Sequence, residues 1–257
     1  RREAGRQALV YEMTVDSAAD NAMVLPLPVS PGGRAEFVDL SAYPRFFADL
    51  DSAFPVVETL GDVEESGAAR APLAVERVGS FEASFVERAE DFERLDPRFG
   101  LSSAVLEGLG SYADYAFAVF RFAPGRRRVH PMALWFPTRE PGLYFPTVHV
   151  HDGAVRPAAA FDHALYLQGP APDGWEASAG PLSGSLDPAR TAGLVDPAAP
   201  ARRLDLVGLL ENSDTRVPGR TPTAARLLED VPTGGLVDAL LRRLLEPDVS
   251  EVLLHKT

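Results

Sequence analysis

Cysteine is absent from the 257 residues, which removes disulfides, thiolate zinc sites and cysteine nucleophiles together. Lysine is almost absent: Lys256 stands alone and every other basic side chain is arginine. With alanine abundant, we read this as a genomic composition bias without functional content. No apolar run approaches the roughly 18 residues of a membrane span; stretches such as 116–120 and 132–136 are far shorter. No signal-peptide core opens the chain, which points to the cytoplasm. The start at Arg1 rather than Met leaves the other reading, an exported mature form from which an upstream segment has been removed. Missing too are the Gly-X-Ser-X-Gly elbow, the phosphate-binding Gly-Lys-Ser/Thr loop, the dinucleotide glycine fingerprint and the His-Glu-X-X-His helix. A serine triad has free chain order, so the sequence selects none.

What is present describes a folded chain. Hydrophobic residues make up 46% and charged residues 24%, an ordinary balance for a globular protein, and the length suits one large domain with an appendage. The formal charge of −12, from 25 basic and 37 acidic side chains, repels phosphate backbones and anionic headgroups, so no nucleic-acid partner is expected. The acidity concentrates in 58–96, where eleven carboxylates face only Arg70, Arg77, Arg88 and Arg94. Such a run is a solvated face or a docking surface for a basic protein partner.

Local patterns predict an α+β, β-rich fold: mainly antiparallel meander sheets, a few short helices and a C-terminal amphipathic helix. The runs LVYEMTV (9–15) and AMVLPLPV (22–29) read as two strands joined by a turn, with Pro26 and Pro28 pushing the second toward a sheet edge. In 41–54, Phe46, Phe47, Leu50 and Phe54 recur at helical spacing. Strands are predicted near 73–78 and 81–86, helical turns at 87–95 and 102–109, and a meander over 114–167. Residues 169–203 hold six prolines and five glycines, yet Trp175, Leu182, Leu186 and Leu194 give them apolar anchors, which suits a long loop draped over the domain. A last strand is predicted at 204–210. Helices open at Thr221 and Thr233, the second with a stripe of Leu236, Val237, Leu240, Leu241, Leu244 and Leu245. The organisation is therefore a β-rich core over 1–168, the draped loop over 169–203, and a C-terminal strand and helices over 204–257 packing on the core.

Most of the chemistry lies in YFPTVHVHDG (144–153). The word FPT recurs at 136–138 and 145–147, bracketing TREPG. If that turn closes a hairpin symmetrically, His130 opposes His151, and period-two alternation puts His149 on the same face. Three imidazoles then converge as candidate metal ligands. Zinc takes histidine nitrogen at about 2.0–2.1 Å, and three ligands leave a fourth position for a water whose pKa falls to about 7. The reaction class would be metal-assisted hydrolysis or hydration. Against this, Pro131, Pro137 and Pro146 each delete a ladder donor, and a loop of odd length dissolves the cluster. His163 and His255 read as structural, Arg126–Arg128 (126–128) as solvent-facing, and ENSDT (211–215) as a turn without the calcium-loop pattern.

The strand pair ending in Leu-Pro-Leu-Pro (25–28) resembles the start of uncharacterised bacterial domain-of-unknown-function proteins, over about the first fifth of the chain. The resemblance implies no activity, carries over no functional residue, and is in keeping with a noncatalytic, exported protein. Three functions follow: a β-rich binding or structural module without identifiable catalytic machinery and without a cofactor; a zinc-type hydrolase or hydratase using His130, His149 and His151; and an acidic scaffold docking a basic partner through 58–96.

Overall fold

The computed structural model describes residues 2–3, 5–17, 21–55, 76–78, 81–96, 99, 109–151, 154–219 and 252–256. Strands dominate. In chain order they are β1 (Arg2–Glu3), β2 (Arg6–Glu12), β3 (Thr14–Ser17), β4 (Asn21–Leu27), β5 (Glu36–Asp39), β6 (Glu76–Val78), β7 (Phe81–Val86), β8 (Ala116–Phe122) and β9 (Gly125–Arg128). Then come β10 (Met132–Pro137), β11 (Leu143–Phe145), β12 (Val150–His151), β13 (Ala154–Val155), β14 (Ala158–Gln168), β15 (Glu176–Ala177), β16 (Arg202–Glu211), β17 (Thr215–Val217) and β18 (Val252–Lys256). One α-helix, α1 (Phe46–Asp51), and short 3-10 turns complete the described residues.

The larger sheet runs β15-β16-β14-β18-β2-β10-β5, with β1 added beside β2; the smaller runs β4-β8-β7-β6. Three two-stranded pairs, β3-β9, β11-β17 and β12-β13, complete the described pairings. All described pairings are antiparallel except β18 with β2. The sequence pattern thus anticipates the β-rich, mainly antiparallel class, but not the pairings. The first two predicted strands exist, yet β2 and β4 lie in different sheets, and β4 pairs with β8. Pro26 is tolerated because β4 is an edge strand.

The predicted meander and its hairpin are also replaced. Both edges of β10 are taken by distant strands: β2 matches it from Met132↔Tyr11 to Pro137↔Arg6, and β5 from Met132↔Asp39 to Trp135↔Glu36. β11 pairs instead with β17. The turn before β11 explains part of this, because a Cβ on Gly142 would run into the backbone of Val217 and Gly219. Pro141-Gly142 is therefore seated on another segment and is not free to close a local hairpin.

Alternation along the strands produces three apolar layers. Leu9, Leu134 and Phe136 of the larger sheet meet Leu25, Phe81, Ala118 and Phe120 of the smaller in one buried cluster. Each such leucine or phenylalanine contributes roughly 1.5–3 kcal/mol on burial. The other face of the larger sheet, with Ala8, Val10, Ala133 and Tyr166, is covered by α1 and by Leu182, Leu186 and Leu194 of the Pro/Gly-rich loop. The outer face of the smaller sheet packs Phe117 and Val119 against Phe92, Tyr112, Tyr115 and Tyr144.

The helix predicted over 41–54 is realised at its centre. Six residues are too few to hold a helix alone, and Phe46, Phe47 and Leu50 are fully buried, with Phe47 packed 6.0 Å from Tyr166 between ring centroids. The loop after β14 is fixed by Gln168, whose amide donates to Asp196 O at 2.8 Å and accepts from Asp196 N at 2.8 Å. The last strand is not β16, as the pattern suggested, but β18, whose backbone sits centrally between β14 and β2. The acidic stretch 56–75, the predicted strand start at 73–75, the turn at 102–108 and the C-terminal helices of 221–251 lie outside the described residues.

Candidate functional site

The segment 144–149 carries Pro146 and forms no continuous ladder; side chains from 212–215 supply its rungs instead. Asp214 accepts from the Tyr144 hydroxyl at 2.7 Å, the Tyr112 hydroxyl at 2.8 Å, and the backbone amides of Thr147 at 3.1 Å and Val148 at 3.3 Å. Burial, with the Asp214 charge beside them, pushes both phenols well above their usual pKa, so they remain donors. Thr147 Oγ1 donates to Ser213 O at 2.8 Å and is met by Thr215 N at 2.9 Å. Asn212 Oδ1 accepts from His149 N at 2.7 Å, while its Nδ2 donates to His149 O at 2.8 Å and Arg156 O at 2.9 Å. The ENSDT turn is thus a clamp that fixes His149 from the backbone outward.

That clamp delivers His149 to His163 on β14, with the two Nε2 atoms 2.9 Å apart. The distance requires a shared N–H···N hydrogen bond, with one ring donating. Phe161 closes one side, its ring stacked on His149 at 4.5 Å and 19°. His163 is 7% exposed. Burial, with the His149 ring beside it, lowers its pKa from 6.5 to about 4, so it is neutral at pH 7.

The predicted ligands are distributed differently from the hairpin expectation. His151 pairs across β12-β13 with Ala154, not with His130, and its side chain lies outside the described residues. His130 packs on Phe81 at 4.6 Å between centroids, with Nδ1 3.2 Å from Pro131 O. It also faces Asp39, whose carboxyl is held below its usual pKa first by Ser41 and secondarily by His130. The structure therefore brings His149 to His163, a residue read from sequence as structural. Among the described residues no three His, Asp or Glu side chains gather as a metal-ligand set. His255 lies on β18, where only its backbone is described. In the arginine run, Arg128 is not simply solvent-facing: it binds Glu12 at 2.7 Å, where the carboxylate side chain is 2% exposed.

On the opposite face of the same ribbon lies the most exposed apolar surface among the described residues. β14 and β16 pair continuously from Ala158↔Glu211 to Leu167↔Arg202, but β18 meets β14 only from Ala164 onward and β15 meets β16 only at Arg202 and Arg203. The ribbon end, 158–163 with 204–211, therefore extends past its described neighbours. Its inner face carries Phe161 and His163; its outer face carries Val207 and Leu209, exposed to 66% and 77%. Asp162, Asp205 and Glu211 border those two side chains. Gly208 lies between them with φ of 102°, a conformation suited to glycine.

Two cavities flank the smaller sheet. One of about 330 Å³ is lined by Phe37, Ser84 and Phe85 with Arg34 and Arg94; a wider one of about 1020 Å³ is lined by Ser30, Gly33, Tyr115, Arg34 and Arg139. Of the arginines lining them, Arg34 pairs with Glu87 at 2.9 Å, Arg94 with Asp91 at 3.0 Å and Arg139 with Asp114 at 2.8 Å.

These features define a β-rich chain of two packed sheets, bearing a histidine pair and an exposed ribbon edge. No protein-family model and no curated protein matches its sequence. Among solved structures it is similar to a mutated baculovirus P35 after caspase cleavage, with a TM-score of 0.38, 9% identity, and 83% of this chain and 97% of that chain covered. It is similar also to the caspase-8/P35 complex, with a TM-score of 0.38, 9% identity and coverages of 83% and 96%. Likenesses at this level assign neither fold nor function. No helix among the described residues is long and apolar enough to cross a membrane.

Proposed function

We propose that this chain is a noncatalytic protein-binding module, and that it docks an extended segment of a basic partner along the outer edge of β16. The observation that carries the reading is the exposure of Val207 and Leu209, 66% and 77%, on a strand with no described pairing partner on its outer side beyond Arg203. An edge strand presents unused backbone donors and acceptors, and proteins normally blunt it with proline, a bulge or a cover. From 204 to 211 β16 has no proline, and its register with β14 is continuous. Such an edge can accept an added strand through main-chain hydrogen bonds, with alternate side chains setting specificity.

The chemistry of the partner follows from the border. Val207 and Leu209 offer apolar contact, while Asp162 and Glu211 call for Lys or Arg on the segment; Asp205 is already met by Arg203 at 2.9 Å. The net charge of −12 steers the same kind of partner. In the stretch 58–96, by contrast, three of the described carboxylates, Glu82, Glu87 and Asp91, already pair with Arg121, Arg34 and Arg94. The ribbon edge is therefore the better-supported docking surface.

The test is a fluorescence-anisotropy titration with a labelled, proline-free nonapeptide that alternates valine and threonine between lysine ends. Wild type binds it, binding weakens with added salt, and Val207→Lys or Leu209→Lys lowers affinity at least about tenfold. Equal binding by both variants overturns the proposal. So does self-association through this edge in sedimentation without peptide binding, which makes a second copy the occupant.

A further inference from the structure

We propose that His149 and His163 form a binding site for one divalent transition-metal ion of the zinc type, held by the two Nε2 atoms with water completing its coordination. The site is distinct from the docking edge, because His163 points to the inner face of the ribbon while Val207 and Leu209 occupy the outer face. Two imidazole nitrogens from separate segments, one on the clamp and one on β14, lie 2.9 Å apart. Tetrahedral zinc with Zn–N of about 2.0–2.1 Å sets its nitrogens roughly 3.3 Å from each other. The rings need to separate by a few tenths of an ångström and to turn by roughly 35° each, so that both lone pairs point at an ion lying to one side of the present N–N line.

The backbone is prepared for this. Asn212 anchors His149 through both N and O, and continuous pairing with β16 anchors His163 opposite Leu206. The rings therefore meet without any segment having to order first, which is the entropic cost that weak surface sites carry. Protons also balance. In the present hydrogen bond one Nε2 carries a proton; on metal binding that ring carries it on Nδ1 instead, so both imidazoles ligate as neutral groups without net proton release. The metal-binding expectation from the sequence thus moves from the His130, His149 and His151 set to this pair.

The test is a zinc titration of chelator-treated, untagged protein by calorimetry at neutral pH, followed by zinc X-ray absorption on the loaded sample. The expected result is one ion per chain with two imidazoles in its shell. His149→Gln and His163→Gln each weaken binding at least about tenfold, the order lost even when a group behind a ligand is removed. His163 is buried, so His149→Gln serves as the variant least apt to disturb folding, and circular dichroism checks both. Absence of saturable binding overturns the inference, as does binding with no imidazole signal or binding unchanged in His149→Gln. Leu209→Lys, which removes the docking edge, leaves zinc affinity unchanged, and His149→Gln leaves peptide binding unchanged.

Discussion

Asp214→Ala is the substitution with the largest consequence expected for the clamp. The carboxylate gathers four donors, and among them Tyr144 is fully buried, Thr147 is 1% exposed and Tyr112 is 6% exposed. Leaving a buried donor without its acceptor costs about 1–3 kcal/mol, and hydrogen bonds to a charge are worth about 1.5–3 kcal/mol each. Water entering the space left by the carboxylate recovers part of this, so we expect a loss of roughly 3–5 kcal/mol. Against a typical total of about 5–15 kcal/mol the variant remains folded but weakened. Urea denaturation followed by tyrosine fluorescence and circular dichroism measures the loss. A double-mutant cycle with Tyr144→Phe supplies the decisive number: once the hydroxyl is gone, removing Asp214 costs at least about 1 kcal/mol less. A loss below about 1 kcal/mol for Asp214→Ala, or additivity with Tyr144→Phe, refutes the clamp.

Other consequences follow from single contacts. His163 has a folded pKa of about 4 against an ordinary 6.5, so its contribution to stability is complete above pH 6.5 and falls as the unfolded chain takes up a proton that the folded chain excludes. Across that window the loss reaches roughly 3 kcal/mol, and in chelator-treated buffer His163→Gln shows a correspondingly flatter stability profile from pH 6.5 down to 4. Arg128→Met withdraws the cation from the buried Glu12 carboxylate and costs roughly 3 kcal/mol in urea denaturation. The exposed Arg94–Asp91 pair behaves differently, and Arg94→Met changes stability little. Gly142→Ala drives a Cβ into the backbone of 217–219, so it lowers Tm and displaces β11 from β17, visible as shifted backbone NMR signals at Leu143–Phe145.

Period and composition exposed the elements more readily than their partners. Phe46, Phe47 and Leu50 marked α1 because helical spacing is a local signal, and β7 was visible at its observed bounds for the same reason. Pairing is decided by contacts distant in sequence: β10 lies between β2 and β5, more than 90 residues upstream of it along the chain. The proposed hairpin was locally reasonable, and it lost to those longer ladders and to the seating of Gly142 on 217–219. The histidine pair has no such local signal: nothing near His163 in sequence points to His149, although Phe161, His163, Leu165 and Leu167 alternate as an inward face on one strand. In sequence Asn212 and Asp214 have the pattern of turn residues, and only tertiary structure shows their side chains acting as rungs for 144–149. β18 had no local signal strong enough to separate it from a tail.

The measurement that bears most directly on the docking module is amide hydrogen exchange along β16, read by NMR with and without the lysine-ended valine–threonine nonapeptide. In the free chain, outward-directed amides between Leu204 and Glu211 are expected to exchange faster than those bonded to β14, and saturating peptide to slow them selectively. Exchange unchanged along that edge at saturation, or protection confined to another surface, would contradict it.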